Sequence, residues 1–281
     1  MTAATEILSG AGLGGARLVD SHCHLDFGDF DGEHAAVVAR AAEAGVTRMV
    51  TICTRLAAEP TVRAIAEAHA GVFYAAGTHP MRAAEEPLVT VETLEALAAH
   101  PKLVGIGETG LDYHYTAESA AVQVESLEIH IEAARRTGLP LIIHARDADD
   151  DMAAILTREH AAGRFDCVMH CFTSGPALAE AALGLGFYLS MSGIAAFKKS
   201  EALRAIFAAA PRDRLLVETD SPYLAPPPFR GKRCEPAYTA LTTAAVAEAL
   251  GTDLAGLARQ TTANFDRLFA KAAASGEEAA A

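Results

Sequence analysis

Short apolar, β-prone runs recur along the chain at "RLVDSHCHL", "VTRMVTICT", "VFYAAGTHP", "KLVGIGETG", "PLIIHAR", "DCVMHCF", "FYLSMSG" and "RLLVETD". Between them lie stretches rich in Ala, Leu and Glu whose apolar positions fall at helical spacing, as in "DGEHAAVVARAAEA" and "SAAVQVESLEIHIEAARRT". Several of these stretches stop at Gly just ahead of the next strand, in "AAEAG", "RRTG" and "LGLG", where a left-handed residue ends a helix. Eight strands, each followed by a helix, in roughly 250 residues predict an α/β protein with a TIM (β/α)8 barrel as one domain. The rival, an open doubly wound sheet, wants a Gly-rich phosphate turn after its first strand, and the chain has none there.

The pattern places the barrel over residues 17–270. Residues 1–16, loose and Gly-rich, read as a flexible N-terminal tail, without the basic start and apolar core of a secretory leader. Residues 271–281, "KAAASGEEAAA", read as a disordered low-complexity tail. The apolar runs are too short and too broken to span a bilayer.

Composition narrows the setting. With 51% hydrophobic and 21% charged residues the chain is an ordinary globular protein. Five cysteines without a CxxC pair make no disulfide framework and point to a reducing cytoplasm. A formal charge of −13 excludes coating nucleic acid by bulk electrostatics, though not local chemistry upon it.

Candidate chemistry collects at strand ends. In "DSHCHLDF", His22 and His24 lie two apart on an extended segment, so both imidazoles face one way and Cys23 faces the other. Glu108 ends the fourth strand, His144 the fifth, His170 the sixth and Asp220 the eighth. Singly, each has a bland role: a hydrogen-bonded core histidine, or a carboxylate capping a turn. Together, on the one rim where a parallel barrel gathers its C-terminal strand ends, they form a site. Four imidazoles and two carboxylates exceed one tetrahedral cation and suit two divalent metals bridged by a carboxylate. The mixed donors fit Zn, Mn, Fe or Co better than Mg alone.

These segments, with "GTHP", "GETGLDYH", "LIIHARDA", "HCFTSG", "LLVETDSPYLAP" and "RGKRCEPAY", resemble the TatD family of metal-dependent hydrolases, from about Arg17 to Phe269. The resemblance implies an amidohydrolase-like barrel and a divalent-metal deoxyribonuclease. It implies His22, His24, Glu108, His144, His170 and Asp220 as ligands, Glu108 as the bridge, and His79 as a contact to substrate phosphate. Three positions depart from the family pattern: Thr109 in "GETG", Met81 two after His79, and Cys234 in the basic motif, where the family has Asn.

The reaction expected is phosphodiester hydrolysis, with two cations about 3.5–4 Å apart activating a water and polarising the phosphoryl group. Asp220 is the expected general base, and His79, Arg146, Arg230, Lys232 and Arg233 the expected phosphate contacts. Glu218 and Asp26 are candidates to steady the ligands, beside plainer roles as an ion pair and a turn cap. The expected substrate is DNA, single-stranded or at a 3' end, with no membrane and no obligate protein partner. The alternative is an ester or amide hydrolase on the same two-metal centre, such as an aminoacyl-tRNA deacylase. A non-catalytic binding module would tolerate ligand loss, and the full ligand set speaks against it.

Overall fold

The computed structural model describes residues 3–278. Among them the eight expected strands appear in sequence order as one parallel sheet, β1-β2-β3-β4-β5-β6-β7-β8. They are β1 (Leu18–Cys23), β2 (Val46–Ile52), β3 (Val72–Ala76), β4 (Leu103–Asp112), β5 (Leu141–Arg146), β6 (Cys167–Met169), β7 (Tyr188–Met191) and β8 (Leu215–Val217). A helix α1 (Ala3–Leu8) precedes β1. The crossovers carry α2 (His34–Glu43), α3 (Glu59–Ala68), α4 (Val91–Ala98), α5 (Ala120–Thr137), α6 (Asp149–Ala162), α7 (Pro176–Gly184) and α8 (Glu201–Ala209). After β8 come α9 (Thr239–Ala249), α10 (Leu254–Leu268) and α11 (Ala270–Glu278). The predicted glycine stops hold: α5 ends at Gly138, whose φ of +67° suits a residue without Cβ.

The strands are apolar on both faces, and period two divides them between two cores. Leu18, Met49, Tyr74, Leu103, Leu141 and Leu189 point outward into the layer shared with the helices. Val19, Val50, Phe73, Val104, Ile142, Val168, Tyr188 and Leu216 point inward and fill the barrel. Phe265, Leu268, Phe269 and Ala272 join that inner cluster, and Phe269 lies against Gly105 at the start of β4. The last two helices therefore plug the N-terminal end of the barrel.

This plug departs from the disordered tail expected at residues 271–281. Ala272 is fully buried, and Lys271 Nζ donates to the carbonyls of Ala98 and His100 at 2.7 Å each. Residues 279–281 lie outside the described residues. Of the segment expected as a flexible tail at 1–16, the described residues from Ala3 onward are likewise built into the fold. They carry α1, and Leu13 is buried against Gly45 at the end of α2.

The barrel closes between β1 and β8 through a single bridge, Cys23 to Ser221. His24 N–H donates to the Ser221 carbonyl at 2.8 Å and Asp220 N–H to the His22 carbonyl at 2.9 Å. Below them Asp20 accepts from Thr219 N–H and Oγ1. No described helix is long and apolar enough to cross a membrane.

Candidate metal centre

The six expected ligands converge at the C-terminal rim. His22 Nε2 lies 3.5 Å from Glu108 Oε2 and 3.8 Å from Asp220 Oδ1, and His24 Nε2 lies 3.2 Å from the same Asp220 oxygen. His144 Nδ1 and His170 Nε2 stand 3.3 and 2.7 Å from Glu108 Oε1. The atoms fall into groups that share Glu108 and His22: His22, Glu108 and His170; His22, His24 and Asp220; and Glu108 with His79 and His144.

The imidazole tautomers follow from what holds the other ring nitrogen. His144 Nε2 is 3.0 Å from Asp112 Oδ2, His170 Nδ1 is 3.3 Å from Glu218 Oε1, and His24 Nδ1 is 3.4 Å from the Ile52 carbonyl. The His144 and His24 nitrogens donate outward, while His170 Nδ1 faces Glu218 without a hydrogen bond, and in all three rings the inward nitrogen is turned toward a carboxylate oxygen. Two acceptors face each other at such distances only with a proton or a cation between them. Both ring nitrogens of His22 are buried with no hydrogen-bond partner. The donor set and the orphaned imidazole fit divalent cations.

His79 differs. Its Nδ1 accepts from Met81 N–H at 3.2 Å, so the neutral ring carries its proton on Nε2, 3.5 Å from Glu108 Oε1. Burial pushes its pKa down to about 3, which keeps the ring neutral. It is built to donate, and a cation on Nε2 would set two donors against each other at Met81. Met81, the departure from the family pattern, thus supplies a backbone contact to the ring.

Charge in the cluster is set by mutual support. Burial alone would raise the carboxyls of Glu108 and Asp220, but the surrounding imidazoles outweigh it. His170, His79, His22 and His144 hold Glu108 well below the usual carboxylate range, and His24 does the same, less strongly, for Asp220. Burial disfavours charge on His170 too, yet Glu108 and Glu218 raise it well above an ordinary histidine.

Two placements differ from the sequence expectation. Glu108 stands within β4 rather than at its end, and the strand runs on to Asp112, which period two puts on the same face. Asp112, overlooked in the sequence, is the partner of His144. Its signal was the Asp of "GLDYH", four residues past Glu108. Strand alternation would put Glu218 and Asp220 on one face, but β8 stops at Val217 and Asp220 takes a φ of +59°. The turn sends Glu218 behind His170, where it also accepts from Cys171 N–H at 2.6 Å, and sends Asp220 forward to His24. Asp26 is partly buried, and its Oδ1 finds no hydrogen-bond partner.

The cluster floors a cleft of about 1370 Å³, whose walls include Phe27, Met81, Arg146, Asp150, Tyr115 and Tyr223. Arg146 is exposed, with its guanidinium 4.8 Å above the Tyr115 ring. Arg230, Lys232 and Arg233 stand outside the cleft lining. Arg230 lies 4.5 Å over Phe197, while Arg233 is tied to Glu33 at 2.9 Å, to the Asp29 carbonyl and over Phe30. Arg233 pins the loop instead of facing the centre, because Glu33 at the start of α2 claims its charge. Cys234 is fully buried, with its backbone N–H on the Pro222 carbonyl. A second cavity of about 720 Å³ opens among Arg135, His160, Arg164 and Asp213, at the opposite end of the barrel.

A parallel barrel with imidazoles and carboxylates gathered at its C-terminal rim defines a metal-dependent hydrolase. The chain belongs to the family described as TatD related DNase, which matches residues 19–270. It is 43% identical over 257 residues to the metal-dependent hydrolase YcfH of Escherichia coli (strain K12), covering 90% of this chain and 95% of the relative. It is 32% identical over 259 residues to the protein named 3'-5' ssDNA/RNA exonuclease TatD of Klebsiella pneumoniae (strain 342), covering 90% and 97%. Among solved structures, the TatD homologue YjjV of Escherichia coli superposes with a TM-score of 0.84 at 30% identity, covering 91% of this chain and 98% of that one.

Proposed function

We propose that the protein is a deoxyribonuclease that hydrolyses phosphodiester bonds at the end of a DNA strand. The observation that carries this reading is the convergence of four histidine nitrogens on the carboxylate oxygens of Glu108 and Asp220, with both ring nitrogens of His22 left without a hydrogen-bond partner. His22, His24, Glu108 and Asp220 would hold one divalent cation, and Glu108, His144 and His170 a second, with Zn, Mn, Fe, Co and Mg as candidate ions. Bound there, such ions supply Lewis-acid polarisation of a phosphoryl oxygen and a water of lowered pKa.

The chain's own residues supply the rest. Asp220, kept ionised by His24 and aimed into the centre by its left-handed turn, orients the attacking water and takes its proton. As the water oxygen bonds to phosphorus, the P–O bond to the leaving nucleotide breaks. His79, neutral and with Nε2–H turned inward, donates to a non-bridging phosphate oxygen. Arg146, without a carboxylate partner among the described residues and stacked on Tyr115, is placed to meet the next phosphate. The name of the Klebsiella pneumoniae relative, an ssDNA/RNA exonuclease, supports the same substrate class.

The test is a panel. Metal-stripped protein, reloaded separately with each ion, is assayed on end-labelled single-stranded DNA, duplex DNA, RNA and aminoacyl-tRNA. Metal-dependent shortening of DNA from an end is the expected result. Release of amino acid from tRNA with intact DNA would replace the nuclease with an aminoacyl ester hydrolase.

A further inference from the structure

Lys198, Lys199, Arg230 and Lys232 stand exposed on the loops after β7 and β8. None of the four side chains has a hydrogen bond or ion pair among the described residues. Many arginines of this acidic protein are claimed by carboxylates, as at Arg40, Arg55, Arg135, Arg136 and Arg158. Here four cations on two joined loops have no carboxylate partner among the described residues.

The two loops are joined into one ridge. A Cβ on Gly193 would lie 1.9 Å from the Leu224 carbonyl oxygen, so only glycine lets these backbones touch. Farther along, the Arg230 guanidinium covers the Phe197 ring, which directly precedes Lys198 and Lys199. Ile194 and Leu224, from the same loops, line the cleft over the metal centre. The basic ridge therefore begins where that cleft wall ends.

An aromatic surface stands between centre and ridge. Tyr223 is 54% exposed, and with Tyr115 it is one of two large apolar side chains that the described surface leaves uncovered. Its ring sits edge-on to Phe27 at 6.0 Å, and Phe27 stacks on the ligand-side His24 at 4.7 Å. The facing wall has the opposite character: Asp147, Asp149, Asp150 and Asp151 line the cleft beyond β5. Beyond the phosphate that meets Arg146, a polyanion is repelled on that side and attracted on the other.

We infer that a single strand of nucleic acid leaves the centre across Tyr223 and runs over the ridge formed by Lys198, Lys199, Arg230 and Lys232. Tyr223 takes an unpaired base on its face, and the four cations take successive phosphates. The inference rests on the nuclease reading and adds to it the route that the substrate strand takes.

The test compares cleavage of a single strand of about 12 nucleotides, within the span such surfaces hold, with cleavage of a dinucleotide, across a range of salt. Metal-loaded full-length protein is used, with the double variant Lys198→Ala/Lys199→Ala and the variants Tyr223→Ala and Tyr223→Phe. The double variant is expected to lose kcat/KM on the long strand about tenfold, and to lose markedly less on the dinucleotide. Its dependence of log kcat/KM on log salt should flatten by about 1.4, since each phosphate contact on a single strand contributes roughly 0.7. Tyr223→Ala should lose about tenfold on the long strand, and Tyr223→Phe, which keeps the ring, should not. Equal losses on both lengths, or an unchanged salt slope, would remove the track while leaving the nuclease in place. A wild-type protein that cleaves neither strand, yet hydrolyses bis(p-nitrophenyl) phosphate or aminoacyl-tRNA, would overturn the nuclease reading and the track with it.

Discussion

Asp112 offers the sharpest probe of how the centre is tuned. Its Oδ2 accepts from His144 Nε2 at 3.0 Å, and its Oδ1 accepts from Tyr115 N–H at 2.8 Å. The carboxylate is 1% exposed, so water screens this charge-assisted bond weakly. The bond fixes the proton on Nε2 and leaves the Nδ1 lone pair facing Glu108. Removing such an outer partner commonly costs 10–100-fold in metal affinity, or about 1.4–2.8 kcal/mol. Asp112→Ala should therefore bind metal 10–100-fold more weakly, and excess metal should restore most of its turnover. Asp112→Asn separates tautomer control from simple packing. With the amide oxygen kept on Tyr115 N–H, its NH2 group points at His144 Nε2 and favours the tautomer whose proton sits on Nδ1, against the metal. Asn should thus be no better than Ala for metal affinity while keeping the Tyr115 turn. The assay is competition of the apo protein against a chromogenic chelator, alongside activity titrated with metal. Wild-type affinity in Asp112→Asn would refute the tautomer argument.

Four further outcomes follow from the same structure. Glu108→Ala and Asp220→Asn should abolish hydrolysis yet retain the wild-type circular dichroism spectrum, because both sit on the rim and outside the apolar cores; near-normal activity in either, with metal present, refutes the site. Phe269→Ala should cost about 3–5 kcal/mol in urea unfolding by opening the inner core at the plug, whereas an effect below 1 kcal/mol would mean that α10 and α11 merely lie on the surface. His130, fully buried between Thr78 N–H and the Ser126 carbonyl, has its pKa pushed by burial down to about 4 from 6.5. Below about pH 6.5 the unfolded chain takes up a proton that the folded chain refuses, so this stabilisation is complete above 6.5 and lost as pH falls towards 4. The wild-type advantage over His130→Gln should shrink by about 3 kcal/mol across that window, and an advantage constant with pH would refute the assignment. Cys23→Ala should reduce stability and leave metal affinity intact, since the thiol is buried among the outward core residues with Sγ on the Val50 carbonyl at 3.4 Å; a large loss of metal affinity would place the sulfur in the centre.

The strands were readable because a barrel buries both faces of each one, leaving apolar runs that glycine and helical periodicity delimit. The ligands were readable because the fold collects strand ends, so residues far apart in sequence could be placed on one rim. Asp112 escaped because β4 was expected to end at "GETG", whereas it continues past Glu108 and keeps its period. The plug escaped for a different reason. Phe265, Leu268, Phe269 and Ala272 follow helical spacing, but the stripe ends in alanines that composition alone assigns to a tail. Arg233 shows the limit of reading charge in a motif. "RGKR" announces three cations, and only the fold reveals that Glu33 already holds one of them. Lys198 and Lys199 gave no signal until Arg230 was found lying over Phe197 beside them.

The seam between β1 and β8 has a bearing on how the enzyme comes into being. The bonds that shut the barrel run from His22 and His24 to Asp220 and Ser221, so closure and assembly of the centre are one event. During synthesis His22 and His24 emerge early, and their carboxylate partner Asp220 emerges about two hundred residues later. A chain still growing on the ribosome, or one cut short before β8, lacks Asp220, the residue proposed as both ligand and base. On that proposal, hydrolytic competence arrives only when the segment after β8 has been made and the seam has closed.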